Sequence, residues 1–150
     1  MRLIKTSELQ DSLPHRAPMV WVDEVGETSE LGGESFVTLK ADGLYFSEAG
    51  LRPSSLIEFL AQGFGFQAAA HIMRSGLPPA AQKQKAFLVS VTQANFHEVG
   101  TEGSHAKPGD RLHIVINNVK HVGPITLFAG KVISPSGFVL CDANLKVFSE

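Results

Sequence analysis

The sequence predicts an α+β fold, an antiparallel β-sheet wrapped around one long central helix, and two observations lead there. The first is Pro53–Arg74, PSSLIEFLAQGFGFQAAAHIMR, which reads as a helix with almost no polar face, from Leu56 and Ile57 through Phe64 and Phe66 to Ile72 and Met73. A helix that is apolar all round is buried all round. Gly63, Gly65 and Gln67 break it and it is too short to span a bilayer, so the rest of the chain has to wrap it. The second observation is that the remaining bulk is strand-like, and that the four segments after the helix are joined by short turns. Short turns make antiparallel hairpins.

Taken in order, residues 6–13 predict a short helix capped by Thr6 or Ser7 and stopped by Pro14. Pro14 and Pro18 hold an extended lead-in to a strand over 19–25, Gly32-Gly33 is a turn, and 35–40 alternates as the partner strand. Residues 41–51 are irregular and deliver the chain to the helix, which ends at Gly76-Leu77-Pro78-Pro79 in an exit loop running to Lys85. Ala86–Phe96 is a strand rich in β formers, 99–107 is a polar loop, and Pro108-Gly109-Asp110 is a turn. Residues 111–121, Ile125–Ile133 and 138–148 complete the sheet, joined at Gly123-Pro124 and Ser134-Pro135-Ser136-Gly137. One long helix held against one antiparallel sheet is the hot-dog architecture. Such a sheet has exposed edges and hides one against a second copy, so a homodimer pairing through Ala86–Phe96, and possible higher assembly, are expected.

A length of 150 residues is that of a single domain with a real core, and a net charge of −2 gives no electrostatic case for nucleic acid or an anionic membrane. The single cysteine, Cys141, excludes an internal disulfide framework and reads as a small strand residue. Six scattered histidines lack metal-ligand spacing, and no metal or cofactor is expected. Met1-Arg2-Leu3-Ile4-Lys5 runs at once into polar residues, which is unlike a signal peptide, so a cytoplasmic location is expected.

Within the apolar helix Glu58 is out of place between Ile57 and Phe59. An unpaired buried carboxylate is costly, so it must be exposed, satisfied or shifted in pKa. Two readings stay open and are compatible. Ser55-Leu56-Ile57-Glu58 fits a capping box that closes the free amides of the first turn, or Glu58 is a catalytic carboxylate at a site walled by apolar side chains. Gln62, one turn on, shares its side of the helix, whereas Gln67 and His71 fall on the other.

Three segments resemble the β-hydroxyacyl-acyl-carrier-protein dehydratases of type II fatty-acid synthesis. Leu13-Pro14-His15-Arg16-Ala17-Pro18-Met19-Val20-Trp21-Val22-Asp23-Glu24-Val25 looks like that family's LPHRxPFLLVDRV opening. Leu56-Ile57-Glu58-Phe59-Leu60-Ala61-Gln62 is similar to its (I/L)-(I/L)-E-A-(M/L)-A-Q helix, and Phe96 followed by Pro108-Gly109-Asp110-Arg111-Leu112 resembles its ARF…PGD layout. The opening is also like divergent dehydratases found with aryl-polyene gene clusters. The resemblance implies loss of water from a 3-hydroxyacyl thioester to give a trans-2-enoyl thioester. In the family a histidine of a GHFPG motif on one subunit removes the C2 proton, and a helix carboxylate of the other assists departure of the hydroxyl. Backbone amides near the helix start hold the thioester oxygen, an arrangement that makes the α-proton acidic.

Carried over to this chain, Glu58 is the carboxylate and Ser54, Ser55 and Leu56 are the amide donors, with Gln62, Leu44 and Tyr45 as further substrate-binding candidates. Gly43-Leu44-Tyr45-Phe46 stands where the family has G-H-F-P, so the histidine position is Leu44, and leucine cannot take a proton. His15 is the best substitute base; otherwise it is a loop histidine that bonds locally. Tyr45 either donates to the thioester or walls the tunnel. A basic patch for an acidic carrier protein is expected from Arg16, Arg52, Arg74, Lys83 and Lys85. The loss at Leu44 keeps two alternatives in play: a hot-dog thioesterase in which Glu58 activates water, and a non-catalytic hot-dog that binds an acyl chain or pairs with an active homologue.

Overall fold

The computed structural model describes residues 2–9, 19–76, 86–97 and 106–149. The chain runs β1 (Ile4–Lys5), a 3-10 turn (Thr6–Glu8), β2 (Glu24–Ser29), β3 (Gly32–Thr38), β4 (Phe46–Ser47), β5 (Gly50–Leu51), α1 (Pro53–Arg74), β6 (Ala86–Phe96), β7 (Arg111–Val122), β8 (Ile125–Ile133) and β9 (Val139–Ser149). Seven strands form one antiparallel sheet in the order β1-β2-β3-β7-β8-β9-β6, and β4 and β5 form a separate small hairpin. Strand β6 is therefore an edge, and α1 lies across the sheet chiefly on β2, β3 and β7. This is the hot-dog arrangement expected from the sequence.

Alternation sets which face meets the helix. Along β7, Leu112, Ile114 and Ile116 are buried against α1, while His113 and Val115 face the other way. Leu56, Phe59, Leu60 and Phe66 of the helix are 0 % exposed, and each such side chain contributes about 1.5–3 kcal/mol through burial. A Cβ at Gly63 would come within 2.8 Å of Ile114 Cγ2, so glycine there lets the helix backbone approach β7 closely. The helix starts cleanly because Pro53 sits in its first turn, where a missing N–H loses nothing. It ends at Gly76, which takes φ +75°. Near that end Arg74 donates to Gly26 O, to Thr28 Oγ1 at 3.1 Å and to Arg2 O at 3.0 Å, pinning the helix to β2 and the amino-terminal strand. One stripe of α1 is not fully covered by the chain's own sheet: Ile57, Ala61, Phe64, Gly65 and Ile72 are half-buried and Ala68 is exposed.

Several expectations change. Of the helix expected over 6–13, Thr6–Glu8 form a 3-10 turn, and residues 10–13 lie outside the described residues. The strand expected from Met19 begins at Glu24, because the amides of Trp21 and Val22 are bonded to the Gln62 side chain instead of a sheet partner. Gly32-Gly33 is not the turn; Glu30-Leu31 is, and both glycines open β3. Gly32 has φ +145°, and a Cβ there would stand 2.0 Å from Ile116 O. Residues 77–85 and 98–105, most of the two stretches expected as loops, lie outside the described residues.

That contact yields a stability prediction. Gly32→Ala is expected to lower the unfolding free energy by at least about 2 kcal/mol, since both its φ and the carbonyl of β7 oppose a side chain. The readout is the urea midpoint at unchanged slope. A loss below about 0.5 kcal/mol would mean that β3 and β7 part easily.

Candidate active site

The amino end of α1 opens on a pocket of about 510 Å³ lined by Met19, Trp21, Leu44, Arg52, Ser54, Ser55 and Glu58. Local chain chemistry puts each wall in place. The stretch before the helix folds back on itself: Lys40 N–H donates to the Tyr45 hydroxyl at 2.7 Å, and the Tyr45 ring lies over Gly43, where a Cβ would come within 2.3 Å of it. That curl leaves Leu44 53 % exposed at the pocket. Behind it Trp21, Tyr45 and Phe59 pack edge to face, with ring centroids 5.4–5.7 Å apart.

Glu58 is half-buried and reaches the pocket, so its carboxylate is neither in bulk water nor sealed away. Gln62, 0 % exposed, donates to Glu58 Oε1 at 3.0 Å and to Met19 O at 2.7 Å, while its Oε1 accepts from Trp21 N–H at 2.9 Å and Val22 N–H at 3.3 Å. One buried amide thus bonds the Glu58 carboxylate and clips the pocket-wall segment to the helix. This saturated group has no bond left for a substrate, so Gln62 positions its neighbours instead of touching a ligand.

The capping box does not form. The helix begins at Pro53, so Glu58 sits in the second turn; the first turn holds no acid, and the Ser55 hydroxyl donates to Tyr45 O at 3.2 Å. The expected trio of amide donors also shrinks. Ser55 N–H is given to Arg52 O at 3.0 Å, and Leu56 is 0 % exposed and off the pocket wall, which leaves Ser54. Tyr45 is buried, its hydroxyl is held by Lys40, and burial pushes that hydroxyl above the usual tyrosine range; it walls the site from behind instead of reaching the pocket.

His15 lies outside the described residues, as do Arg16, Lys83, Lys85 and His105. Among the described residues no histidine lines the pocket. His97 faces Asp142 at 3.3 Å, His113 faces Glu34 at 2.9 Å and stacks on Phe36, and His121 faces Thr126 at 2.9 Å. Of the expected docking patch, Arg52 is a pocket wall and Arg74 is tied down at the far end of α1. Cys141 is buried on β9 with its thiol pushed up to about 12 by burial, which suits a core residue and not a nucleophile. Among the described residues no group of three metal-ligating side chains gathers, and no helix is long and apolar enough to cross a membrane.

Sequence reasoning missed Trp21 and Met19 as pocket walls, whereas Arg52, expected beside the mouth, lines it and is exposed. Met19 and Trp21 gave no separate signal, because the sequence places them within the strand expected over 19–25, which the structure begins at Glu24.

The whole chain is similar to several known proteins. A family model described as ApeP-like, ApeP dehydratase, matches residues 7–150. The 3-hydroxyacyl-[acyl-carrier-protein] dehydratase FabZ of Vibrio cholerae is 29 % identical over 153 residues, spanning 97 % of this chain and 91 % of that one. Among solved structures, the dehydratase heterocomplex ApeI:P from Xenorhabdus doucetiae superposes with a TM-score of 0.78 at 22 % identity, over 99 % of this chain and 93 % of that one. A hypothetical thioesterase from Streptococcus pneumoniae with coenzyme A shares the fold at a TM-score of 0.59 and 13 % identity, over 84 % of each chain.

The Gln62 clip is testable apart from any activity. Gln62→Met keeps the length and removes the amide, stranding two backbone N–H groups and a carbonyl, and is expected to cost about 2–4 kcal/mol in chemical denaturation. A loss under about 1 kcal/mol would show that water replaces the amide.

Proposed function

This chain belongs to the ApeP-like dehydratase family, and from that premise we propose that it removes water from a 3-hydroxyacyl thioester, carried on acyl carrier protein or coenzyme A, to give the trans-2-enoyl thioester. The observation that carries the reading is Glu58: an acidic side chain on a buried helix, set by Gln62 and facing an open pocket with apolar walls. In the proposed reaction the C2–H bond breaks and its proton passes to a base. The electron pair becomes the C2=C3 bond as the C3–O bond breaks, and the hydroxyl leaves as water with a proton from Glu58. His15 is the proposed base, since Leu44 occupies the position that aligns with the family's histidine. Trp21, Met19 and Leu44 supply the apolar wall for the acyl chain. A cytoplasmic location goes with a soluble thioester substrate.

A second reading is supported by Leu44 itself. With no proton acceptor at that position, Glu58 acting on water against the thioester carbonyl would make the chain a thioesterase. The two readings separate in one incubation with a 3-hydroxyacyl thioester, which releases either enoyl product or free thiol; neither product would favour a non-catalytic acyl-binding protein.

The assembly proposed is a homodimer joined along the β6 edge, with the uncovered stripe of α1 from Ile57 to Ile72 covered by the second copy. The neighbouring ApeI:P structure is a heterocomplex, so a mixed dimer with a homologous chain is the competing assembly.

Glu58→Gln is expected to abolish turnover while circular dichroism stays native, and unchanged turnover would remove Glu58 from the mechanism. His15→Ala is expected to lose at least about 100-fold, the usual size of a general-base contribution; a loss of a few-fold would return it to a structural role. Light scattering of the purified chain is expected to give a dimer, and a monodisperse monomer would refute pairing through β6.

A further inference from the structure

Resting on the dehydratase reading, we propose that Arg52 is a catalytic residue whose guanidinium holds the thioester carbonyl oxygen and stabilises the charge that gathers there as the C2 proton leaves. Charge developing on that oxygen needs donors aimed at it. The first turn of α1 is short of them. Pro53 has no N–H, Ser55 spends its N–H on Arg52 O and its hydroxyl on Tyr45 O, and Leu56 does not reach the pocket. Within that first turn Ser54 is the backbone amide left on the wall, where acyl-transfer sites commonly use a pair.

Arg52 is placed to supply the rest. It shares the pocket wall with Glu58 and Ser54. Its backbone is held from two sides: Arg52 N–H donates to Tyr45 O at 2.8 Å, and the following proline confines it to the extended conformation seen, φ −69° and ψ 128°. The side chain therefore leaves from a fixed root. Among the described residues its guanidinium makes one long contact, Nε to Phe46 O at 3.4 Å. Five N–H donors on a plane that stays charged at any working pH make an electrostatic clamp, not a proton carrier. In the reaction Arg52 neither gains nor loses a proton. It holds the oxygen while the C2–H electron pair moves through the enolate, and the charge disperses when the C3–O bond breaks.

The test uses an N-acetylcysteamine thioester, which has neither phosphate nor carrier protein, so that docking cannot contribute. On the 3-hydroxyacyl form, Arg52→Gln is expected to lower kcat by about 100-fold or more with KM changed only a few-fold, and Arg52→Lys to recover part of the loss. Infrared difference spectra of the bound trans-2-enoyl form are expected to show a carbonyl band shifted to lower frequency in the native protein, and no such shift in Arg52→Gln, with melting temperatures alike. Retention of both rate and band in Arg52→Gln overturns the inference, as does a defect confined to carrier-bound substrate. Absence of the shift in the native protein overturns it whatever the turnover. A native protein that shows the shift, loses it in Arg52→Gln and forms no enoyl product keeps Arg52 as the carbonyl ligand and overturns the dehydratase reading alone.

Discussion

A helix of 22 residues with almost no polar face has to be enclosed, and the architecture is the consequence of enclosing α1. The sheet supplies the wrapping through alternate residues of β2, β3 and β7, and close approach at Gly63 lets the two layers meet without a gap. Because polar side chains are so few on α1, the ones present stand out as work done elsewhere. Gln67 bonds Ser35 on β3 at 2.9 Å, and Gln62 bonds the segment ahead of β2. Each is a polar anchor between the helix and one stretch of the wrapping chain.

Gln62 connects this packing to chemistry. Its amide bridges Glu58 on the helix to the backbone of Met19, Trp21 and Val22. The orientation of the carboxylate and the position of the pocket wall are thereby one structural variable. A buried, fully used amide is stiff, because each bond it might drop would leave a group without a partner in a low-dielectric setting. The carboxylate and the pocket wall are consequently held together as one unit. The loop that precedes the helix is built in the same spirit. The Tyr45 hydroxyl closes it on Lys40, and that closure presents Leu44 to the pocket.

The helix, the last three strands and the antiparallel order were legible because long apolar runs and period-two alternation are read locally. The bounds of Pro53–Arg74, Ala86–Phe96 and Ile125–Ile133 came out as expected. Errors fell where a tertiary contact overrides a local rule. Gly32-Gly33 resembles a turn, yet the backbone of β7 lies against Gly32 and draws both glycines into a strand. Residues 19–23 have strand composition, yet the amides of Trp21 and Val22 answer to a glutamine about forty positions away in sequence. Ser55 and Glu58 have capping-box spacing, yet Pro53 starts the helix early enough to move both past the cap.

By itself the sequence determined that a sheet must enclose Pro53–Arg74 and that one acid, Glu58, sits where acids do not otherwise belong, since both follow from the cost of mismatched polarity along a single element. Tertiary structure alone decided what that acid faces. Which of Ser54, Ser55 and Leu56 keeps a usable donor, whether Tyr45 looks into the pocket or away from it, and that Arg52 shares the wall with Glu58, all depend on hydrogen bonds and contacts between segments. Local residue pattern does not encode these, because each donor is assigned by competition among partners that only folding brings together.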